Sequence, residues 1–188
     1  IAQAQSGTGK TGAFVIGILQ IISKMGYNTK KDVKTGALIL APTHELAKQS
    51  KDVLDRIGSF MKIKSQLLVG GTSVEGDKQL LLDNTPHVAI GTPGRVHDML
   101  RRKYLNPRHI KILVIDEADE MLNMGFYDDI KEILKFSGDK IILTTEKDYF
   151  KIMSIHDFKN LFYIEIKIDF LGKSNDLVNL ISNKLIFN

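Results

Sequence analysis

Eight consecutive residues near the start of the sequence have the types and order needed to hold a phosphate chain. They are Ala4-Gln5-Ser6-Gly7-Thr8-Gly9-Lys10-Thr11. Their glycines let backbone N–H groups close around phosphate oxygens, and a helix opening at the end of the loop adds the positive end of its dipole. Lys10 brings a point charge to the β- and γ-phosphates, and Thr11 a hydroxyl to Mg²⁺. The spacing is that of a Walker A loop with alanine at the first glycine position. Ser6, Gly7, Thr8, Gly9, Lys10 and Thr11 are therefore the candidate nucleotide contacts, with ATP and Mg²⁺ as the expected ligands.

A second group, Asp116-Glu117-Ala118-Asp119, follows the apolar run Ile112-Leu113-Val114-Ile115. A carboxylate at the end of a buried strand is where a Walker B acid holds Mg²⁺. Asp116 is thus the candidate metal ligand beside Thr11. Its neighbour Glu117 can orient and deprotonate an attacking water, so the expected catalytic set is Lys10, Asp116 and Glu117. Three shorter motifs also end apolar runs: Pro42-Thr43-His44-Glu45-Leu46-Ala47, Gly70-Gly71-Thr72 and Thr92-Pro93-Gly94-Arg95. Each alone also reads as a plain turn with a helix cap. On one edge of a sheet, together, they offer N–H groups, hydroxyls and a cation, a surface suited to tracking a sugar–phosphate backbone.

Such an edge requires strands that all point one way. Short apolar runs at Ile1–Ala4, Ala37–Ala41, Gln66–Val69, Val88–Ile90 and Ile112–Ile115 alternate with helical patterns at Thr11–Met25, Glu45–Phe60, Val74–Leu82, Val96–Arg102 and Asp128–Lys135. Continuous apolar runs suit parallel strands covered on both faces. Strand and helix in alternation predict an open α/β sheet whose ligands lie at the carboxyl ends of the strands. A further apolar run at Ile141–Leu143 and a period-two pattern over Phe162–Phe170 predict two more strands, and Ser174 is placed to cap a last helix.

Bulk properties narrow the setting. The 188 residues suffice for one well-buried domain. No apolar run approaches the ~20 residues of a membrane span, and residues 1–10 lack the basic start of a signal peptide. The absence of cysteine excludes a disulfide framework and fits a reducing, cytoplasmic compartment. The net charge of +4 is compatible with a polyanionic partner. That charge is uneven, because residues 136–188 hold seven lysines and seven acids and are neutral. This later segment also has eight of the fourteen Phe and Tyr but two of the fifteen Gly. A compositional boundary near residue 136 therefore separates a unit at 1–135 from a segment at 136–188 that either completes the α/β domain or is appended to it.

The order AQSGTGKT, PTHELA, GG, TPGR, DEAD resembles the DEAD-box RNA helicases, and GTPGRVHDML and VIDEADEMLNMGF are most similar to their translation-initiation branch. The resemblance covers residues 1 to about 135. It implies a RecA-like ATP-binding lobe, a P-loop fold with a mostly parallel sheet and helices on both faces. It implies ATP binding by Lys10 and Thr11, Mg²⁺ at Asp116, hydrolysis by Glu117, and RNA-backbone contacts from Thr43, Gly71, Thr92 and Arg95. By the same resemblance Asp119 couples the ATP site to a Ser-Ala-Thr motif, and the partners are RNA, a second RecA-like lobe and a translation-initiation scaffold. His44 stands where the family has arginine. The sequence begins inside the first strand, so the expected lobe is truncated at its N-terminus and lacks the upstream adenine-reading glutamine motif. In place of Ser-Ala-Thr the chain reads Thr144-Thr145-Glu146. The two hydroxyls are expected near Asp119, and Glu146 is expected to add negative charge to the acidic box.

Residues 136–188 carry a resemblance of their own. FSGDKIILTTEKDYFKI and LFYIEIKIDFLG are similar to the C-terminal part of tetraacyldisaccharide 4′-kinases. That family's phosphate loop is absent from this segment. Two alternatives to an ATP-dependent helicase lobe therefore stand: a non-catalytic fragment that binds ATP and RNA, and a chimera carrying a lipid-kinase remnant.

Overall fold

In the computed structural model, residues 9–26, 33–136, 139–155 and 158–164 are described. The expected first strand, Ser6, Gly7 and Thr8, the strand beyond residue 164 and the helix capped by Ser174 lie outside them. The elements in order are α1 (Gly9–Lys24), β1 (Ala37–Leu40), α2 (His44–Gly58), β2 (Ser65–Leu68), α3 (Val74–Asp83), β3 (Val88–Gly91), α4 (Pro93–Arg101), β4 (Ile112–Ile115), α5 (Ala118–Asn123), α6 (Tyr127–Lys135), β5 (Ile141–Thr145), α7 (Glu146–Met153) and β6 (Leu161–Ile164). The six strands form one sheet in the order β2-β3-β1-β4-β5-β6, and every pair is parallel. All carboxyl ends therefore lie on a single edge.

The strands are apolar throughout because both of their faces are covered. In β1, Ala37 and Ile39 join a core with Phe14, Val15, Ile18 and Leu19 of α1 and Leu54 of α2. Leu38 and Leu40 point the other way, into a core with Val96 and Met99 of α4, Met121 of α5 and Ile130 of α6. Each fully buried aliphatic side chain contributes about 1.5–3 kcal/mol of burial free energy, so the two layers fix the register. Gly91 is required by the close approach of two strands: a Cβ there would lie 2.0 Å from the Leu68 carbonyl oxygen.

Helix starts follow local chemistry. Thr43 caps α2, its hydroxyl accepting from the Leu46 amide at 3.2 Å, and Ser73 caps α3 through the Gly76 amide. Pro93 opens α4 three residues before the expected Val96, since proline's fixed φ suits a first helical turn. At its other end α2 stops at Gly58, and a short 3₁₀ turn covers Ser59–Met61.

The segment after Lys135 continues the sheet. Strand β5 pairs with β4 in the register Ile115↔Thr144, and β6 pairs with β5. Two short helices, α5 and α7, were not expected from periodicity. At the β6 edge Leu161 is buried but Phe162 is 52% exposed. Among the described residues no helix is long and apolar enough to cross a membrane.

Candidate nucleotide and nucleic-acid site

Gly9, Lys10 and Thr11 form the first turn of α1. A helix beginning there aims its unsatisfied N–H groups toward the loop that precedes it. Thr11 is half-buried.

The acidic box begins where β4 ends. The Asp116 amide donates to the Leu40 carbonyl at 3.1 Å, which holds the first acid against the end of β1. Glu117 adopts φ 57 and ψ 48, a left-handed conformation that an L-residue with a Cβ rarely takes. Its carbonyl then accepts from the Glu120 and Met121 amides and starts α5.

Around the box the structure departs from expectation. Neither hydroxyl of Thr144-Thr145 bonds Asp119. Thr144 donates to the Ile115 carbonyl at 2.9 Å, and Thr145 donates to Asp148 at 2.7 Å. Glu146 is exposed in the first turn of α7. The charge delivered to the box is positive instead: Lys147 bonds both Glu117 and Asp119, and Lys151 lies 3.7 Å from Asp119. The physical reason is helical geometry. A helix starts immediately after β5, so the second, third and sixth residues of α7, not the strand end itself, come beside α5. Asp119 loses ionisation tendency through burial, but the hydrogen bond from Lys147 and the charges of Lys147 and Lys151 outweigh this and lower its pKa. Lys147 is raised well above the ordinary lysine range, chiefly by its hydrogen bond to Glu117.

Asp148 is fully buried. Its carboxylate accepts from the Ala118 amide at 3.1 Å and the Asp119 amide at 3.3 Å, as well as from Thr145. Oxygens of Glu117, Asp119 and Asp148 lie within 4.8 Å of one another. This trio is already served by Lys147 and by the α5 amides.

On the other half of the edge, Gly71 has φ 83, a value that favours glycine, and it is exposed. Arg95 is not splayed into solvent. Its guanidinium pairs with Asp77 and donates to the Thr72 hydroxyl at 2.9 Å and the Thr72 carbonyl at 2.7 Å. The Arg95 and Asp77 side chains are only 9% and 7% exposed. The structure thus brings Arg95 to the Gly70-Gly71-Thr72 turn. Thr92 precedes α4 and Thr43 precedes α2, both half-buried at their strand ends. Sequence reasoning missed Asp77, Lys147 and Asp148. An acid in the first turn of the expected helix at Val74–Leu82 was a signal for Asp77; nothing announced Lys147 or Asp148, because α7 was not expected.

A parallel sheet with an acidic box at the end of β4, and a helix that opens on the Gly9-Lys10-Thr11 end of a glycine-rich sequence, marks the class of P-loop domains. A model of the DEAD/DEAH box helicase family matches residues 1–153. The chain belongs to that family. It is 48% identical over 136 residues to the ATP-dependent RNA helicase fal1 of Aspergillus fumigatus, covering 72% of this chain and 32% of that protein. Among solved structures it is similar to a DEAD box protein from Methanococcus jannaschii (TM-score 0.73, 28% identity, 99% of this chain, 52% of the other). It is also similar to Saccharomyces cerevisiae Dbp5 bound to RNA and ADP BeF3 (TM-score 0.67, 33% identity, 89% of this chain, 41% of the other). The chain therefore spans about a third of the helicase relative and about half or less of these structures.

Proposed function

We propose that this chain is the ATP-binding lobe of an RNA helicase, acting in the cytoplasm, whose parent activity couples ATP hydrolysis to RNA unwinding. The observation that supports the reading is the shared edge: the acidic box follows β4, the Thr43 motif follows β1, Gly71 follows β2 and Thr92 follows β3, with Arg95 bonded to Thr72. Ser6, Gly7, Thr8 and Gly9 would wrap the phosphates with backbone N–H groups, and Lys10 would neutralise the terminal ones. The Thr11 hydroxyl and Asp116 carboxylate are hard oxygen donors that suit Mg²⁺, which when bound offsets charge on the transferring phosphoryl group. Glu117 orients the attacking water and takes its proton, once its carboxylate leaves Lys147. Thr43, Gly71, Thr92 and Arg95 hold the RNA backbone without reading bases. Arginine fingers from a second RecA-like lobe raise rates ~10³–10⁵-fold in such enzymes, so turnover is expected to rise when such a lobe is supplied. Residues 136–188 are proposed to complete the domain, a reading supported by the pairing of β5 and β6.

Titration calorimetry with Mg²⁺–ATP and Mg²⁺–ADP tests the proposal. The unaltered chain binds and Lys10→Ala does not. Equal binding by the two removes the nucleotide site from the phosphate loop and the proposal with it.

A further inference from the structure

We infer that Asp148 is a positioning residue for the hydrolysis proposed above, its buried carboxylate closing the turn that presents Asp116 and Glu117. This rests on the reading of that site as an ATPase, and it concerns a residue outside every motif of the acidic box.

The argument starts from what the box must overcome. Glu117 sits in a left-handed conformation at φ 57, and a residue with a Cβ stays there only when its surroundings over-determine it. Two anchors flank the strained position. Before it, the Thr144 hydroxyl holds the Ile115 carbonyl at 2.9 Å. After it, both oxygens of Asp148 hold the two successive amides of Ala118 and Asp119. Asp116 and Glu117 are the two residues between these anchors. The Asp148 carboxylate thus ties the first two amides of α5, directly after Glu117, to the first turn of α7.

Asp148 is itself fixed. The Thr145 hydroxyl donates to it at 2.7 Å, and the residue has no exposed surface. The β4–β5 register, Ile115 opposite Thr144, sets the first turn of α7 beside the first turn of α5. A carboxylate oxygen accepts hydrogen bonds, and the three groups that reach Asp148, two amides and a hydroxyl, are all donors. Asparagine in its place keeps the shape but turns one acceptor into a donor that faces an amide N–H. The role is therefore orientation of the box, not contact with nucleotide.

The test uses the full chain with Asp148→Asn, Thr145→Val and Thr145→Ser. Amide exchange of Ala118 and Asp119 is followed by NMR, Mg²⁺–ATP affinity by calorimetry, and hydrolysis by single-turnover assay. In Asp148→Asn the two amides exchange about tenfold faster or more. The hydrolysis rate constant falls between about tenfold and a hundredfold, as for a misplaced catalytic group, with ATP affinity within about threefold. Thr145→Ser behaves as wild type and Thr145→Val shifts in the same direction as Asp148→Asn. Should Asp148→Asn not fold, the Thr145 pair decides: equal rates for the two sink the idea. Faster exchange with an unchanged hydrolysis rate constant overturns the positioning role alone. So does a loss of ATP affinity that matches the loss of rate. A wild-type chain that binds Mg²⁺–ATP but never turns it over overturns the proposed hydrolysis and the positioning role together.

Discussion

Two buried aspartates grip the functional edge at opposite ends, and they do so by different physics. On the β2–β3 side Asp77 holds a charged group, the Arg95 guanidinium. On the β4–β5 side Asp148 holds neutral dipoles, two amides and a hydroxyl. A charge pair fixes one long side chain, whereas a carboxylate on two successive amides fixes a piece of backbone. The difference matches the proposed tasks. A phosphate-tracking arginine needs one aimed side chain, while a metal- and water-handling turn needs two carboxylates presented in a set relation.

The largest expected effect breaks the comparison at Asp77. Removing one partner of a buried ion pair strands the other, at a cost of about 3–5 kcal/mol. Asp77→Ala and Arg95→Ala are each expected to lose stability on that scale in urea unfolding. The double replacement Asp77→Leu with Arg95→Met is expected to be far milder, because no charge is left uncompensated. If the double variant is as unstable as the sum of the singles, the pair is not the source of the loss.

The second effect sharpens the contrast at the level of binding. Replacing Arg95 removes a cation and leaves the Asp77 carboxylate beside the proposed RNA edge. Arg95→Ala is expected to weaken all RNA sequences alike, with the slope of log affinity against log salt flatter by about one. Filter binding of several single strands across a salt series measures both quantities. A sequence-selective loss, or an unchanged slope, is the contrary result.

How much of this was legible follows the range of each interaction. Strands β1, β3 and β4 were readable because parallel strands covered on both faces are apolar at every position, as in Ala37-Leu38-Ile39-Leu40. The helix start after Thr43 was readable because a cap acts over three residues. The six-residue α5 is too short to show a helical period, and α7 starts directly after β5 with no turn residue to announce it. Site residues within motifs were found, but their partners were not. Asp77 lies 18 residues from Arg95, and Asp148 lies 30 from Ala118. Only the sheet register brings those pairs together, and that register is not written in either motif. The expectation that Glu146 would crowd the box failed for the same reason: the first turn of α7 rotates Glu146 into solvent and Lys147 onto Glu117.

The smallest expected effect concerns that lysine, and it separates charge from position on the β4–β5 side. Lys147 is 46% exposed where it pairs with Glu117 and Asp119, so screening by solvent limits its worth to about 0–1 kcal/mol. Its effect on stability has a definite pH signature. Asp119 has a pKa held below the ordinary aspartate value of 3.8, with Lys147 and Lys151 outweighing the opposing effect of burial. A depressed acid stabilises the fold above its unfolded-state pKa, and that contribution is lost as pH falls through the lowered folded value. Lys147→Ala is therefore expected to cost a fraction of a kcal/mol near neutral pH. Below the carboxylate range the variant and wild type should converge, because Asp119 is then protonated in both. Urea unfolding of the two proteins across a pH series measures the gap. In the backbone no gap is expected at any pH: the Ala118 and Asp119 amides of Lys147→Ala should exchange as in wild type, because Lys147 touches carboxylates and not the amides. A gap that persists at low pH, or amides that loosen without Lys147, would mean that the lysine holds the acidic box in place and not merely its charge.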